Sequence, residues 1–180
     1  MMPSPPALAM KSLAEHMSVY AAYHRHPTNK AIHFVFVPAI VWTLMVALDH
    51  VVIGAVAGLP VPLGMLIVAA LLLWYLLLDF AIGVAAVALF TLLQYSAIVL
   101  NNSVSASQSL AIAGTVFVAS WVFQFVGHGV WEKRRPALMD NLFQVLVAPS
   151  FLIAEAAFAF GMKQELHDAV ETGMRSHLPT

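Results

Sequence analysis

The chain has 180 residues, of which 61% are hydrophobic and 9% are charged, and its mean hydropathy is +0.86. About a quarter of the residues in a soluble domain are charged, so this composition excludes a water-exposed globular domain. We predict a single integral-membrane domain over residues 1–180. The net charge of −1 argues against a nucleic-acid partner, and the absence of cysteine excludes thiolate-bound metals.

Residues 11–24 form the first predicted element. Leu13, Met17, Tyr20 and His24 have the spacing of one helix face, which predicts an amphipathic helix on the membrane surface. Pro27 then interrupts the helical pattern before the long apolar segments begin.

Four apolar segments follow, at residues 33–53, 61–78, 80–100 and 110–131, and each approaches the ~20 residues that a spanning helix needs. Residues 142–162 are also long enough, but Pro149 interrupts them and Glu155 lies inside them. We expect either a broken re-entrant or interfacial helical segment or a fifth span. The fold class is therefore predicted as all-α, a multi-pass transmembrane helical bundle.

Basic residues flank the first and fourth predicted spans, whereas loops 54–60 and 101–109 contain no lysine or arginine. The positive-inside rule then predicts that both termini are cytoplasmic. The flanking cations are Lys11, Arg25, Lys30, Lys133, Arg134 and Arg135. The last three could also hold a fatty-acid carboxylate or a lipid phosphate.

The end of the fourth predicted span carries Gln124, His128 and Glu132 at intervals of four residues. Residues four apart share one face of an α-helix, so an apolar helix presents a polar stripe. Placing an ionisable group at membrane depth costs free energy, so such a group indicates a functional site by default. Gly127 and Gly129 flank the histidine and permit close approach of a neighbouring helix or acyl chain.

Under this topology His24, His26, His33, His128 and Glu132 all lie at the cytoplasmic face, where three imidazoles and a carboxylate could converge. Imidazole with carboxylate is a ligand set for non-haem Fe(II), and three imidazoles also suit zinc. The alternative is that such histidines are interfacial anchors, which we expect for His16, His26, His167 and His177. Glu155 is either a buried partner of this cluster or a polar residue at a kink.

Two blocks of sequence carry a family resemblance. The first contains Tyr23–His24, Asn29, Ile32–His33 and Pro38, and the second runs from Gln124 to His128 and from Glu132 to Leu138. Together they resemble the 2-hydroxy fatty acid dioxygenase family, whose fungal members act in the degradation of phytosphingosine to odd-numbered fatty acids.

The resemblance implies a membrane enzyme that needs Fe(II) and O2 but no 2-oxoglutarate, and that shortens a 2-hydroxy fatty acid by one carbon. It implies His24, His33, His128 and Glu132 as metal ligands. The expected catalytic residues are His128, Glu132 and Gln124, and the expected substrate-binding residues are Lys133, Arg134, Arg135, Asn29 and Glu155.

The resemblance implies the endoplasmic reticulum, where the fungal members of the family are best characterised, whereas the Ala- and Val-rich spans suit a bacterial inner membrane equally well. In either case membrane lipid is an expected partner, and an oligomer is possible. Two other functions stay open at this point. One is a haem protein with His33 and His128 as axial ligands, and the other is a non-enzymatic lipid-binding scaffold.

Overall fold

The computed structural model describes residues 11–178. Its helices are α1 (Leu13–Tyr23), α2 (Pro27–Leu48), α3 (Leu63–Leu78), α4 (Phe80–Ser103), α5 (Ala106–Gly127), α6 (Gln144–Ala159) and α7 (Gln164–Met174). A π-helical turn, His128–Glu132, continues α5, and 3-10 turns cover Ala137–Met139 and Arg175–His177. Two short strands, β1 (Val52–Val56) and β2 (Leu59–Pro62), lie between α2 and α3.

Helices α2 to α5 run antiparallel between two ends of the molecule. At the far end, where α2 finishes, the Asn101 amide donates to the Val46 carbonyl at 3.1 Å, and the His50 ring contacts the Ser109 hydroxyl at 2.9 Å. At the near end, where α2 begins, the Asn29 amide reaches past the end of α5 to Glu132 at 3.1 Å. Each of the four helices therefore connects the two ends.

Three of these helices are long and apolar enough to cross a membrane: Pro27–Leu48, Phe80–Ser103 and Ala106–Glu132. Helix α3 is apolar but has 16 residues, which extend about 24 Å against a hydrocarbon layer of about 30 Å. Membrane-length helices are thus present at three of the four predicted spans, and α3 is shorter.

The predicted span at residues 33–53 needs correction at both ends. Helix α2 starts at Pro27, because proline is well suited to the first position of a helix, and it ends at Leu48. The apolar residues that follow pair as an antiparallel hairpin, with Val56 opposite Leu59. Gly58 has φ of 82° at the turn, a conformation that glycine adopts without strain. The described residues are therefore not entirely helical.

Helix α6 also differs from the broken segment expected at residues 142–162. It is one continuous helix that contains Pro149. Pro149 is the sixth residue of this helix and has no N–H to donate to the Val145 carbonyl, so the helix continues past it without that hydrogen bond. The Tyr75 hydroxyl donates to the Leu146 carbonyl near one end of α6. Beyond the other end, Lys163 pairs with Asp79 at 2.7 Å, so both ends contact the α3–α4 region at the near end.

Helix α1 begins at a capping box, in which the Ser12 hydroxyl accepts from the Glu15 backbone and Glu15 accepts from the Ser12 backbone. Its apolar face is present as the spacing predicts, with Met17 fully buried. That face packs against Phe151 of α6 and Val170 of α7. The helix therefore covers the near end of the bundle with its apolar side against protein.

Candidate metal centre

Three histidines from three different elements meet at the near end of the bundle. His24 follows α1, His33 lies in α2, and His128 begins the π-helical turn after α5. Their candidate ligand nitrogens all lie within 4.8 Å of one another, and all three residues are buried. We call His24, His33 and His128 the histidine triad.

The hydrogen bonds of the triad define which nitrogens are protonated. His24 Nδ1 lies 2.7 Å from the Tyr20 carbonyl, and His33 Nδ1 lies 2.8 Å from the Asn29 carbonyl. A carbonyl oxygen can only accept, so both Nδ1 atoms carry the proton. Both Nε2 atoms therefore present lone pairs, and these two atoms lie 3.0 Å apart. Two lone pairs that face each other repel unless a cation lies between them.

His128 supplies a second indication that the triad fits a metal. Its Nδ1 atom is buried and has no hydrogen-bond partner among the described residues. Buried polar nitrogens are normally paired, and a missing ion is one explanation for an orphan. Two of the imidazoles present an unshared electron pair, and the third has a ring nitrogen without a hydrogen-bond partner. Together the three rings form a suitable donor set for a divalent transition metal.

The charge state of the triad also suits metal binding. Burial lowers the pKa of His24 well below its ordinary value, and the adjoining His33 and His128 rings lower it further. At neutral pH the His24 imidazole is therefore uncharged, which is the form that binds a metal.

Two close contacts hold the triad in place. The Tyr20 ring stacks on the His24 ring, with 3.8 Å between centroids and 6° between planes. Gly127 lies directly against the Asn29 side chain, where a Cβ atom would collide with the amide oxygen. The missing side chain therefore allows α5 to approach α2, and this brings the neighbouring His128 close to His33.

Glu132 lies beside the triad and has other partners. Its carboxylate accepts from the His26 backbone N–H at 2.9 Å and from the Asn29 amide at 3.1 Å. Among the described residues, the side chains close enough together to share one metal ion are the three histidines, and Glu132 is not one of them. In this structure the carboxylate holds the first turn of α2, and so it positions His33.

A partly open cavity extends from the triad. Apolar side chains dominate its wall, and two amides, Gln124 and Gln144, also line it. The cavity-lining residues outside the triad are Tyr20, Val37, Ile40, Val41, Leu44, Trp121, Gln124, Pro136, Ala137, Leu138, Gln144, Val145 and Ala148. Gln124 was expected from the sequence, whereas Gln144 was missed. Its polarity within an apolar run was the only signal that the sequence offered.

The three cations after the π-helical turn lie outside this cavity. The Arg134 guanidinium stacks over the Tyr23 ring at 3.5 Å and donates to the Ala22 carbonyl at 3.3 Å. Arg135 forms an ion pair with Asp140. Lys133 is exposed and ends the helix in a left-handed conformation.

The two remaining expected substrate residues hold helices together. Glu155 of α6 pairs with Lys30 of α2 at 2.8 Å, and neither residue lines the cavity. Asn29 is fully buried, between Gly127 and Glu132. The structure thus brings together three of the expected ligands and Gln124, whereas none of the five expected substrate residues lines the cavity.

The other histidines have separate surroundings. His26 is the N-cap of α2, and its ring nitrogen accepts from the Thr28 backbone N–H. His16 contacts Trp74 edge-on, and His167 lies 4.0 Å from Glu171 on α7. None of them joins the triad.

Two comparisons with known proteins found a match. A family model described as "2-hydroxy-palmitic acid dioxygenase Mpo1-like" matches residues 10–160. The chain is 38% identical over 160 residues to a Saccharomyces cerevisiae protein named 2-hydroxy-palmitic acid dioxygenase MPO1. The match covers 88% of this chain and 87% of that relative. No solved structure matches the chain.

Proposed function

Because the chain belongs to the family of Mpo1-like 2-hydroxy-palmitic acid dioxygenases, we propose that it oxidises 2-hydroxy fatty acids with O2. The observation that carries this proposal is the buried histidine triad at one end of an apolar cavity. The triad offers a metal site, and the cavity offers a place for an acyl chain.

We propose Fe(II) as the metal. His24, His33 and His128 would hold it, and the bound iron would supply O2 activation and a binding point for the 2-hydroxyl and carboxylate of the substrate. Three protein ligands leave positions open for such groups. Zinc also accepts three imidazoles, but it has no redox chemistry, so the dioxygenase relative favours iron.

The apolar wall of the cavity would bind the acyl tail. Val37, Ile40 and Leu44 line it along α2, and the helix rises about 16 Å over the eleven steps from His33 to Leu44. Each CH2 group removed from water would contribute about 0.8 kcal/mol to binding. This alignment would place the carboxylate end of the substrate at the triad and would keep bulk water from it.

One-carbon shortening without 2-oxoglutarate is part of the proposal. Among the described residues, no lysine or arginine lines the cavity. A dicarboxylate cosubstrate usually requires such a cation, often an arginine that binds carboxylate in a bidentate manner. The wall instead suits a single long apolar molecule. Lys133, Arg134 and Arg135 would attract the anionic headgroup from outside the cavity as the substrate approaches.

The haem alternative conflicts with the triad geometry. The His33 and His128 ring centroids lie 5.1 Å apart, and the His24 ring lies 4.4 Å from the first and 4.7 Å from the second. A porphyrin between two axial imidazoles would have to occupy the space of His24. The scaffold alternative expects interfacial histidines, whereas these three have exposed fractions of 1–3%.

We further propose a multi-pass protein of the endoplasmic reticulum or a bacterial inner membrane, with α2 to α5 as four spans and both termini cytoplasmic. The near end carries Lys30, Lys133 and Lys163, whereas residues 49–62 and 101–109 at the far end contain no lysine or arginine. This asymmetry is the one that the positive-inside rule describes. In this arrangement α3 crosses the membrane although it is short, and α6 lies at the cytoplasmic side.

The test is turnover of 2-hydroxypalmitate by the purified protein under isotopically labelled O2 and under argon. We expect a product one carbon shorter that carries the oxygen label, and no product under argon. Product formation under argon, or oxidation that preserves the chain length, would contradict the proposed reaction.

A further inference from the structure

Gln144, the first residue of α6, has an unpaired amide oxygen in the cavity wall. Its exposed fraction is 3%, and its Oε1 atom is buried without a hydrogen-bond partner among the described residues. Buried polar atoms in native proteins are normally paired, so an orphaned acceptor calls for a specific explanation. The residue shares its cavity with the histidine triad.

The two sides of Gln144 differ in polarity, and this difference indicates how a fatty acid would lie in the cavity. The residue also lines a neighbouring surface cavity together with polar side chains, including Lys11, Glu15 and Asn141. In the other direction, Val37 to Leu44 make the cavity wall apolar. The tail of a fatty acid would therefore point away from Gln144, and the polar headgroup would lie near it.

Resting on the proposed function, we propose that Gln144 recognises the 2-hydroxyl group of the substrate. An amide oxygen needs a hydrogen-bond donor. The substrate carboxylate has no proton to donate at neutral pH, so the 2-hydroxyl is the only donor in the headgroup. Gln144 is thus a specificity-determining residue. A fatty acid without the hydroxyl cannot form this hydrogen bond, so it binds more weakly than the hydroxylated acid.

The experiment measures binding by the iron-loaded protein in detergent under argon, where no turnover occurs. Palmitate and 2-hydroxypalmitate each displace a fluorescent fatty acid from the wild type, from Gln144→Leu and from Gln164→Leu. The last variant makes the same change at an exposed residue of α7. We expect the wild type and Gln164→Leu to prefer the hydroxylated acid. In Gln144→Leu that preference should fall about tenfold, while palmitate binding stays unchanged.

The outcomes separate this inference from the function on which it rests. A Gln144→Leu variant that keeps the wild-type preference overturns the role of Gln144 and leaves the proposed function intact. Equal weakening of both acids shows a structural role and also overturns it. A wild type that binds both acids equally overturns the inference and counts against the proposed substrate class as well.

Discussion

Gly127 and Gly129 offer a matched pair for testing how the triad is held. Each glycine adjoins His128, but their surroundings differ. A Cβ atom on Gly127 would collide with the Asn29 amide oxygen, whereas one on Gly129 would meet nothing within 4 Å. Asn29 cannot easily retreat, because it is fully buried and its amide donates to Glu132.

Gly127→Ala therefore forces α2 and α5 apart at the level of the triad. Overpacking of this kind costs about 1–3 kcal/mol. Glycine-to-alanine changes in helices also gain about 0.5–1 kcal/mol from backbone entropy, and that gain is shared by the two variants. The difference in unfolding free energy between the two variants should thus be close to the overpacking cost. The metal should also bind about 10–100-fold more weakly in Gly127→Ala.

The assay compares thermal unfolding midpoints and iron affinities of the two variants in the same detergent. We expect Gly129→Ala to match or exceed the wild type in both quantities and Gly127→Ala to fall below it. If the two variants behave alike, close approach of the helices at Asn29 does not position the histidines, and this reasoning is refuted.

Three further predictions address neighbouring groups. The Glu132→Gln variant should keep its iron, because the amide oxygen of glutamine can still accept hydrogen bonds from the first turn of α2. If metal analysis shows that this variant has lost its iron, the Glu132 carboxylate is a ligand. Leu44→Trp should impair turnover of long acyl chains more than short ones, with exposed Leu73→Trp as the control, and a uniform loss would contradict the tail position. Burial raises the pKa of Asp79, but the hydrogen bonds and charge of Lys163, together with hydrogen bonds from the Ala81 and Ile82 backbone, outweigh this and hold the pKa below its ordinary value. The pair should therefore stabilise the protein above about pH 4 and lose that effect as pH falls further. Asp79→Asn should cost about 1 kcal/mol at neutral pH, and unfolding curves at several pH values that overlay the wild type would contradict this.

The triad histidines could be found from the sequence because topology and local spacing both constrain them. Charge asymmetry assigns the start of the first span and the end of the fourth to one membrane face. His24 shares a helix face with Tyr20, and its ring stacks on that residue. The convergence of His24, His33 and His128 then follows from the antiparallel arrangement of the helices.

The hydrogen-bond partners of Glu132 could not be predicted in the same way. The spacing of four residues places it on the face of His128 only if the helix remains α-helical. Residues His128–Glu132 instead form a π-helical turn with longer hydrogen-bond spacing. This wider turn directs the carboxylate to the start of α2. A sequence pattern does not report such a local change of helix type.

The hairpin and Gln144 were missed for two other reasons. Hydropathy alone does not separate a short apolar strand from part of a helix, so Val52 and Val56 were assigned to membrane spans and loops. Gln144 lies far from the histidines in sequence and reaches their cavity only because α6 packs across the near end of the bundle. Such long-range proximity is a property of the packed structure.

The central claim is that His24, His33 and His128 hold one iron ion together. Elemental analysis of the purified wild type, of the three single histidine-to-alanine variants and of His167→Ala tests it most directly. His167 lies on α7 outside the triad and serves as the control. We predict stoichiometric iron in the wild type and in His167→Ala, and a loss of iron in each triad variant. Iron retained by His33→Ala and His128→Ala, or lost equally from the control, would contradict the account.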